Sequence, residues 1–292
     1  MIRDSRLANE GARVVDFCVV YLASPRLAAV GGVPRLTALL ASLRSVRACL
    51  PESSPVLIFH EDYTEEDKDQ IRAIVPSCEF HEVDFTIGDA DFVRHRRPKG
   101  YMLMCRFWSG VVQQHPALQR FTHYMRLDDD SYFINPKLER RELVRMSGAD
   151  YSFRQLFFDP SPEHSRLYAF TVDFLRQAGL VEPTHRLLAK GAYTGKAVYN
   201  NFHFASLRFW RHPLVGRFVE AVEAERGCLR CGWMDANLHT MILALLVPHT
   251  DLAVNQELHF GYRHNHHVAV WGSVAIRFDD QIHFVVRPEE YA

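Results

Sequence analysis

Three consecutive carboxylates, Asp128, Asp129 and Asp130, follow the run F-T-H-Y-M-R-L and precede S-Y-F-I-N-P. Both flanks read as strands, the first of them buried. Side chains alternate across a strand, so Asp128 and Asp130 should point one way and Asp129 the other. Two same-side carboxylates at the carboxyl end of a strand suit a hard divalent cation that substrate phosphates also hold. A solvated acidic turn is the ordinary alternative for three acids in a row, and the apolar flanks argue against it here.

Other residues with chemical potential lie on both sides. Asp235 and His239 are four apart and would share one helix face, a spacing that can bind a metal. Arg106, inside an apolar helical run, could grip a diphosphate with both ends of its guanidinium, or pair with Asp16 or Asp235. Of six cysteines, only Cys228 and Cys231 form a C-x-x-C pair, and a zinc site would want a second such pair. Buried thiols are therefore the expectation, with one or two disulfides open to a chain that enters a secretory lumen.

The elements that must position these groups alternate. Arg13 to Leu22 is a nearly continuous β-branched and aromatic run, as in a strand buried on both faces. Leu36, Leu39, Leu40, Leu43 and Val46 then repeat at helical spacing after Pro34. Val56 to His60 is a second strand, and Thr64 is a helix N-cap for E-E-D-K-D-Q-I-R-A-I-V. Cys78 to Phe85, Tyr101 to Gln114 and Phe121 to Leu127 continue the alternation, which predicts an α/β fold with a mainly parallel central sheet flanked by helices. Glu163 to Gln177, Pro213 to Glu225 and Met234 to Val247 read as helices, with loops at Asp159 to Glu163 and Gly191 to Gly195. No internal repeat or linker divides the chain, so 1–292 is expected to be one catalytic domain. Residues 1–12 should be flexible.

Composition excludes some classes. Thirty-four basic and 35 acidic residues give a net charge of -1, so no nucleic-acid-binding surface is implied. The first thirteen residues lack an apolar signal core, and no uninterrupted run of about 18 apolar residues exists.

The segment Tyr101 to Phe133 resembles the central signature of the fungal-type α-1,2-mannosyltransferases, glycosyltransferase family 15. It keeps Tyr101, Met104, Cys105, Arg106, Phe107, Ser109, Gly110, His115, Pro116 and Arg126. Ile58 to Lys68, Asn200 to Arg211, Gly232 to His239 and His259 to His264 are similar, in order, to further blocks of that family. The resemblance implies a GT-A-like fold with residues 13–135 binding a nucleotide sugar and 136–292 forming an acceptor-site half. It implies metal-dependent, retaining α-1,2-mannosyl transfer from GDP-mannose to a glycan or glycoconjugate. Catalytic silence on the same fold, as a nucleotide-sugar or carbohydrate binder, is the alternative. A phosphoesterase built on the acidic run and the His-rich tail is a third, and donor hydrolysis with Mn²⁺ separates the first two. Fungal members carry an N-terminal Golgi anchor. This chain then reads either as a natural soluble relative, cytoplasmic if complete, or as a Golgi-lumen enzyme without its anchor.

The family pattern also distributes roles. A family Glu matches Asp128, which makes Asp128 the direct metal ligand, while Asp130 would hold metal, a metal-bound water or the ribose. The His of the family's Gly-Tyr-x-His block maps to His264, and an imidazole ligand favours Mn²⁺ over Mg²⁺. His266 and His267 could stand in for it in mutagenesis. The family's Asn-Phe-Glu-Ile block reads N-F-H-F here, so His203 replaces the candidate nucleophile. That favours front-face attack, with Asp235 as a possible carboxylate from another position. Tyr101 would contact donor or acceptor sugar, or else be core. Asn201 and Arg106 join it in substrate binding, Asp235 serves the substrate or acid/base work, and Trp233 offers a pyranose stacking face.

Overall fold

Apolar residues buried on both faces make β1 (Phe17–Leu22) the centre of the main sheet. The computed structural model describes residues 16–264, apart from 28, 30–32, 88–91, 94–96, 135–137, 186, 187, 190, 191 and 257. His266, His267 and residues 1–12 therefore lie outside the described residues. After β1 come α1 (Arg35–Arg47), β2 (Val56–His60), α2 (Glu65–Arg72), β3 (Glu79–Glu82), α3 (Lys99–Arg106), β4 (His123–Leu127) and β5 (Ser131–Ile134). Then follow α4 (Arg140–Ser147), β6 (Tyr151–Phe153), β7 (Leu156–Phe158), α5 (Pro162–Gln177), β8 (Leu188–Ala189), β9 (Ala192–Tyr193) and β10 (Lys196–Val198). The last are β11 (Phe202–Ser206), α6 (Leu207–Arg211), α7 (Pro213–Ala224), α8 (Asp235–Met241), β12 (Val254–Asn255) and β13 (Gly261–His264).

Seven strands form one sheet in the order β3-β2-β1-β4-β11-β6-β12. All run parallel except β11, which is antiparallel to both β4 and β6. The period-two alternation of β1 divides the core. Cys18 and Val20 enter one apolar cluster with α3, α7 and α8, while Val19 and Tyr21 enter the other with α1 and α4. Helix α2 starts where Thr64 accepts from the Asp67 N–H while the Asp67 carboxylate accepts from the Thr64 N–H, a reciprocal cap.

Three expectations need correction. The helix expected over Tyr101 to Gln114 is interrupted after Arg106 by a wide π-helical turn, Phe107–Val111, and a short 3₁₀ turn. Gly110 sits there at φ 148°, and a Cβ on it would lie 2.3 Å from Val219 Cγ1, so both backbone and packing demand glycine. The segment Met234 to Val247 likewise gives α8 and then a π-helical turn at Ile242–Leu246. Part of the loop expected over Gly191 to Gly195 is a strand, because Ala192 and Tyr193 pair with Ala189 and Leu188. A ladder of two residues is too short to show a period. All six cysteines are free thiols. Among the described residues no helix is long and apolar enough to cross a membrane.

Candidate active site

Strand β4 ends at Leu127 and β5 begins at Ser131, so the three acids form the turn between them at the carboxyl end of the parallel sheet. Strand β13 pairs antiparallel with β5 and sets His264 opposite Ser131. As a result His264 Nε2 lies 3.4 Å from Asp128 Oδ2 and 3.0 Å from Asp130 Oδ1. One ligand atom from each of the three residues falls within 4.8 Å of the others. Asp129 faces elsewhere: its Oδ1 accepts from Arg35 Nη1 of α1 at 2.8 Å. Asp128 and Asp130 do meet at His264, but in a turn and not by alternation along a strand, and Arg35 Nη1 also lies 3.8 Å from Asp130 Oδ2.

Two carboxylates and one imidazole make a donor set suited to a divalent ion, with room for oxygen ligands from a substrate. The other ring nitrogen of His264, Nδ1, is 2.7 Å from the Tyr199 hydroxyl, which fixes the ring so that Nε2 faces the acids. Burial alone would lower the His264 pKa. The Asp128 and Asp130 carboxylates outweigh it and hold the imidazole well above its usual range. Burial also opposes ionisation of Asp128, yet Arg126 and His264 keep its pKa below the ordinary carboxylate value.

Arg126 ties this cluster to a second carboxylate. It is 2% exposed, stacks its guanidinium 4.3 Å over the Trp108 ring, and donates through Nε to Asp128 Oδ1 at 3.1 Å. Through Nη1 it donates to Asp235 Oδ2 at 2.6 Å. Asp235, the first residue of α8, also accepts from Asn200 Nδ2 at 3.0 Å. The helix-face relation with His239 is present, since Asn200 Nδ2 lies 3.5 Å from His239 Nδ1. His239 is not turned to the metal cluster, however. Its Nδ1 meets the Tyr151 hydroxyl at 2.7 Å, its Nε2 meets the Trp108 carbonyl at 3.0 Å, and burial pushes its pKa down to about 4.

Asp128, Asp130, His264 and Asp235 are thus gathered in one place. Tyr101 borders them: it is half-buried, and burial followed by neighbouring acidic groups, Asp235 and Asp128 among them, raises its pKa. Arg106 is a correction, since its Nε donates to Glu223 of α7 at 2.8 Å and not to Asp16, Asp235 or the acidic turn. Trp233 is another: it is 4% exposed, packs 4.8 Å from Phe170, and presses on Gly227, so it is core and offers no open stacking face. His203 is 0% exposed. Its Nδ1 donates to the Asn200 carbonyl at 2.9 Å and its Nε2 accepts from the Tyr124 hydroxyl at 2.7 Å, while Gln113 Nε2 donates to that hydroxyl. A ring so enclosed, with its pKa driven well down by burial, has no free nitrogen for a substrate. Asn201 is buried beside the turn.

Arg126, Tyr199, Asn200 and Arg35 were not singled out from sequence as site residues. For Arg126 the signal was present, because it stands two residues before Asp128 at the end of an apolar, strand-like run. The other three come from distant chain positions with no local pattern.

Curated relatives match the chain at low identity. An O-glycoside alpha-1,2-mannosyltransferase of Schizosaccharomyces pombe is 22% identical over 173 residues, covering 57% of this chain and 44% of the relative. Glycolipid 2-alpha-mannosyltransferase 1 of Candida albicans is 24% identical over 203 residues, covering 67% and 45%. The chain thus spans less than half the length of these relatives. Among solved structures, core-mannan synthase A of Aspergillus fumigatus, determined in a Mn/GDP form, superposes with a TM-score of 0.69 at 18% identity, covering 88% of this chain and 76% of that one. A mannosyltransferase of Saccharomyces cerevisiae in complex with GDP gives 0.67 at 18% identity, covering 86% and 71%. These likenesses establish the shared glycosyltransferase fold. The profile of the glycolipid 2-alpha-mannosyltransferase family matches residues 89–283, which includes the acidic turn, Asp235 and His264, and the chain belongs to that family.

Proposed function

We propose that this chain is a metal-dependent retaining glycosyltransferase that moves mannose from GDP-mannose to a hydroxyl of a glycan or glycoconjugate. The observation that carries the reading is the convergence of Asp128, Asp130 and His264 at the carboxyl end of β4 in a member of this family. Mn²⁺ is the first choice of metal, from the imidazole in the donor set and from the Mn/GDP form of the structural relative. Bound there, a divalent ion would offset charge building on the departing diphosphate. The protein's part is positional. Asp128 and His264 present ligand atoms, Tyr199 orients His264, and Arg126 fixes Asp128 and Asp235 relative to one another.

Front-face attack, in which the departing phosphate takes the acceptor proton, is the mechanism the geometry supports. The enclosed His203 cannot bond the sugar, and Asp235 Oδ2 is already engaged by Arg126 and Asn200, which weakens it as a nucleophile. Residues 13–135 would carry the nucleotide sugar and 136–292 most of the acceptor site. A Golgi-lumen setting would follow from the family, if this chain shares it.

The test is calorimetric titration with GDP and Mn²⁺, followed by hydrolysis and transfer assays with GDP-mannose. Wild type should bind GDP only with the metal, and Asp128→Ala should abolish that metal-dependent binding. Metal-dependent GDP affinity that survives Asp128→Ala would refute the metal assignment, and preference for UDP-sugars would refute the donor.

A further inference from the structure

The short turn from Tyr199 to Asn201 leads into β11, and its first two side chains serve the cluster. Tyr199 holds His264 and Asn200 holds Asp235. The third, Asn201, is 5% exposed, and neither its amide nitrogen nor its amide oxygen has a hydrogen-bond partner among the described residues. No other described residue has two buried side-chain polar atoms in that condition. Leaving a buried polar group unpaired costs roughly 1–3 kcal/mol, and such exceptions concentrate where a ligand completes the bonding.

Register locates this amide. Phe202 and Leu127 form the last pair of the antiparallel ladder, so Asn201 and Asp128 are the residues that adjoin its end. The backbone on this side is fixed as well, since the Tyr262 hydroxyl donates to the Asn201 carbonyl at 3.3 Å and contacts Ser131 Oγ at 2.7 Å.

The chemistry of the amide selects its ligand. An amide presents two N–H donors and a carbonyl acceptor together. A phosphate offers acceptors only and would leave the carbonyl unpaired. A cation would leave the N–H groups unpaired. A hydroxyl both donates and accepts, so one hydroxyl, or a vicinal pair, satisfies both amide atoms. Next to a carboxylate that would meet the diphosphate, the hydroxyls on offer are those of the ribose and of the transferred sugar, and only the ribose's are present in GDP alone.

We infer that Asn201 reads a hydroxyl of the donor hexose and so selects the sugar, whereas the acidic turn selects the diphosphate. This rests on the glycosyltransferase reading above and adds to it a residue for sugar choice.

The experiment compares wild type, Asn201→Ala and Asn201→Leu, the last close in volume to the amide. GDP affinity with Mn²⁺ should match wild type in both variants. The kcat/KM for metal-dependent GDP-mannose hydrolysis should fall roughly 10- to 100-fold, as for loss of one buried hydrogen-bonded contact. Donors lacking a single sugar hydroxyl complete a cycle. One of them should be a poor substrate for wild type by a similar factor and carry no added penalty in Asn201→Ala. In the absence of ligand, Asn201→Leu should melt at or above the wild-type temperature, since it removes an unpaired buried amide. Unchanged kcat/KM in both variants, or penalties that add for every deoxy donor, would overturn the inference. So would a fall in GDP affinity itself, which would assign the amide to the ribose. A wild-type chain that neither binds GDP with Mn²⁺ nor turns over GDP-mannose would instead remove the glycosyltransferase reading, and this inference with it.

Discussion

Arg126 is the residue on which the site's geometry turns, because one buried guanidinium faces carboxylates that arrive from β4 and from α8. Removing one member of a buried ion pair leaves an uncompensated charge and costs about 3–5 kcal/mol. Arg126→Met should therefore lower the unfolding free energy by about that amount in urea titrations. Arg126→Lys should recover only part of it, since an ammonium cannot serve two carboxylates in a fixed fork. Equal stability in wild type and Arg126→Met would show that the pairs contribute nothing net. Much of this scale was legible in the chain. The order D-D-D after a strand, with an arginine two residues earlier, marks the side chains that gather at the end of that strand. What the chain did not reveal is which residues the rest of the molecule would cover. Trp233 and His203 look like open chemistry in sequence, yet Phe170, Tyr124 and the Asn200 carbonyl close over them. Arg106 found Glu223, a partner more than a hundred residues away that no local pattern could announce.

Among the elements, the edge built by β6, β11 and β12 depends on a polar clasp at Asp150. Its carboxylate accepts from Ser206 Oγ at 2.8 Å, from Arg208 Nη2 at 2.7 Å and from the Ala253 N–H at 3.0 Å, so one side chain joins three segments. Burial opposes ionisation, but these donors outweigh it and the Asp150 pKa lies below the usual carboxylate value. The folded state thus holds this proton less tightly than the unfolded chain does. The resulting stabilisation is fully present above an unfolded pKa of about 3.9 and is lost as pH falls through the lower folded value. Asp150→Asn should be less stable than wild type at neutral pH, with the difference narrowing in denaturant titrations carried below about pH 4. A difference that stays constant down to pH 2 would show that ionisation of Asp150 has no part in it. Long apolar strands such as β1 and β2 were plain in the sequence because each buries both faces. The antiparallel sense of β11 was not, since direction depends on the connection and not on the residues within the strand.

For the molecule as a whole, the sheet crosses the boundary drawn between a nucleotide half and an acceptor half. Strand β4 from the first half pairs with β11 from the second, and β6 and β12 extend the same sheet. Cutting the chain after residue 135 would strip β4 of a neighbour and expose the apolar face that α7 and α8 cover. Thermal unfolding should therefore be one cooperative transition, coincident by near- and far-ultraviolet circular dichroism, and a fragment of residues 13–135 should not give a native-like spectrum. Two separated transitions, or an independently folded fragment, would overturn the expectation of a single domain. The pairing of β13 with β5 has a consequence for synthesis. Asp128 and Asp130 leave the ribosome well before His264, so a growing chain can complete its sheet through β11 while the imidazole is still being made. The proposed metal centre would thereby be assembled last, and a nascent chain could not offer a cation all three of these side chains until nearly all of the described protein has emerged.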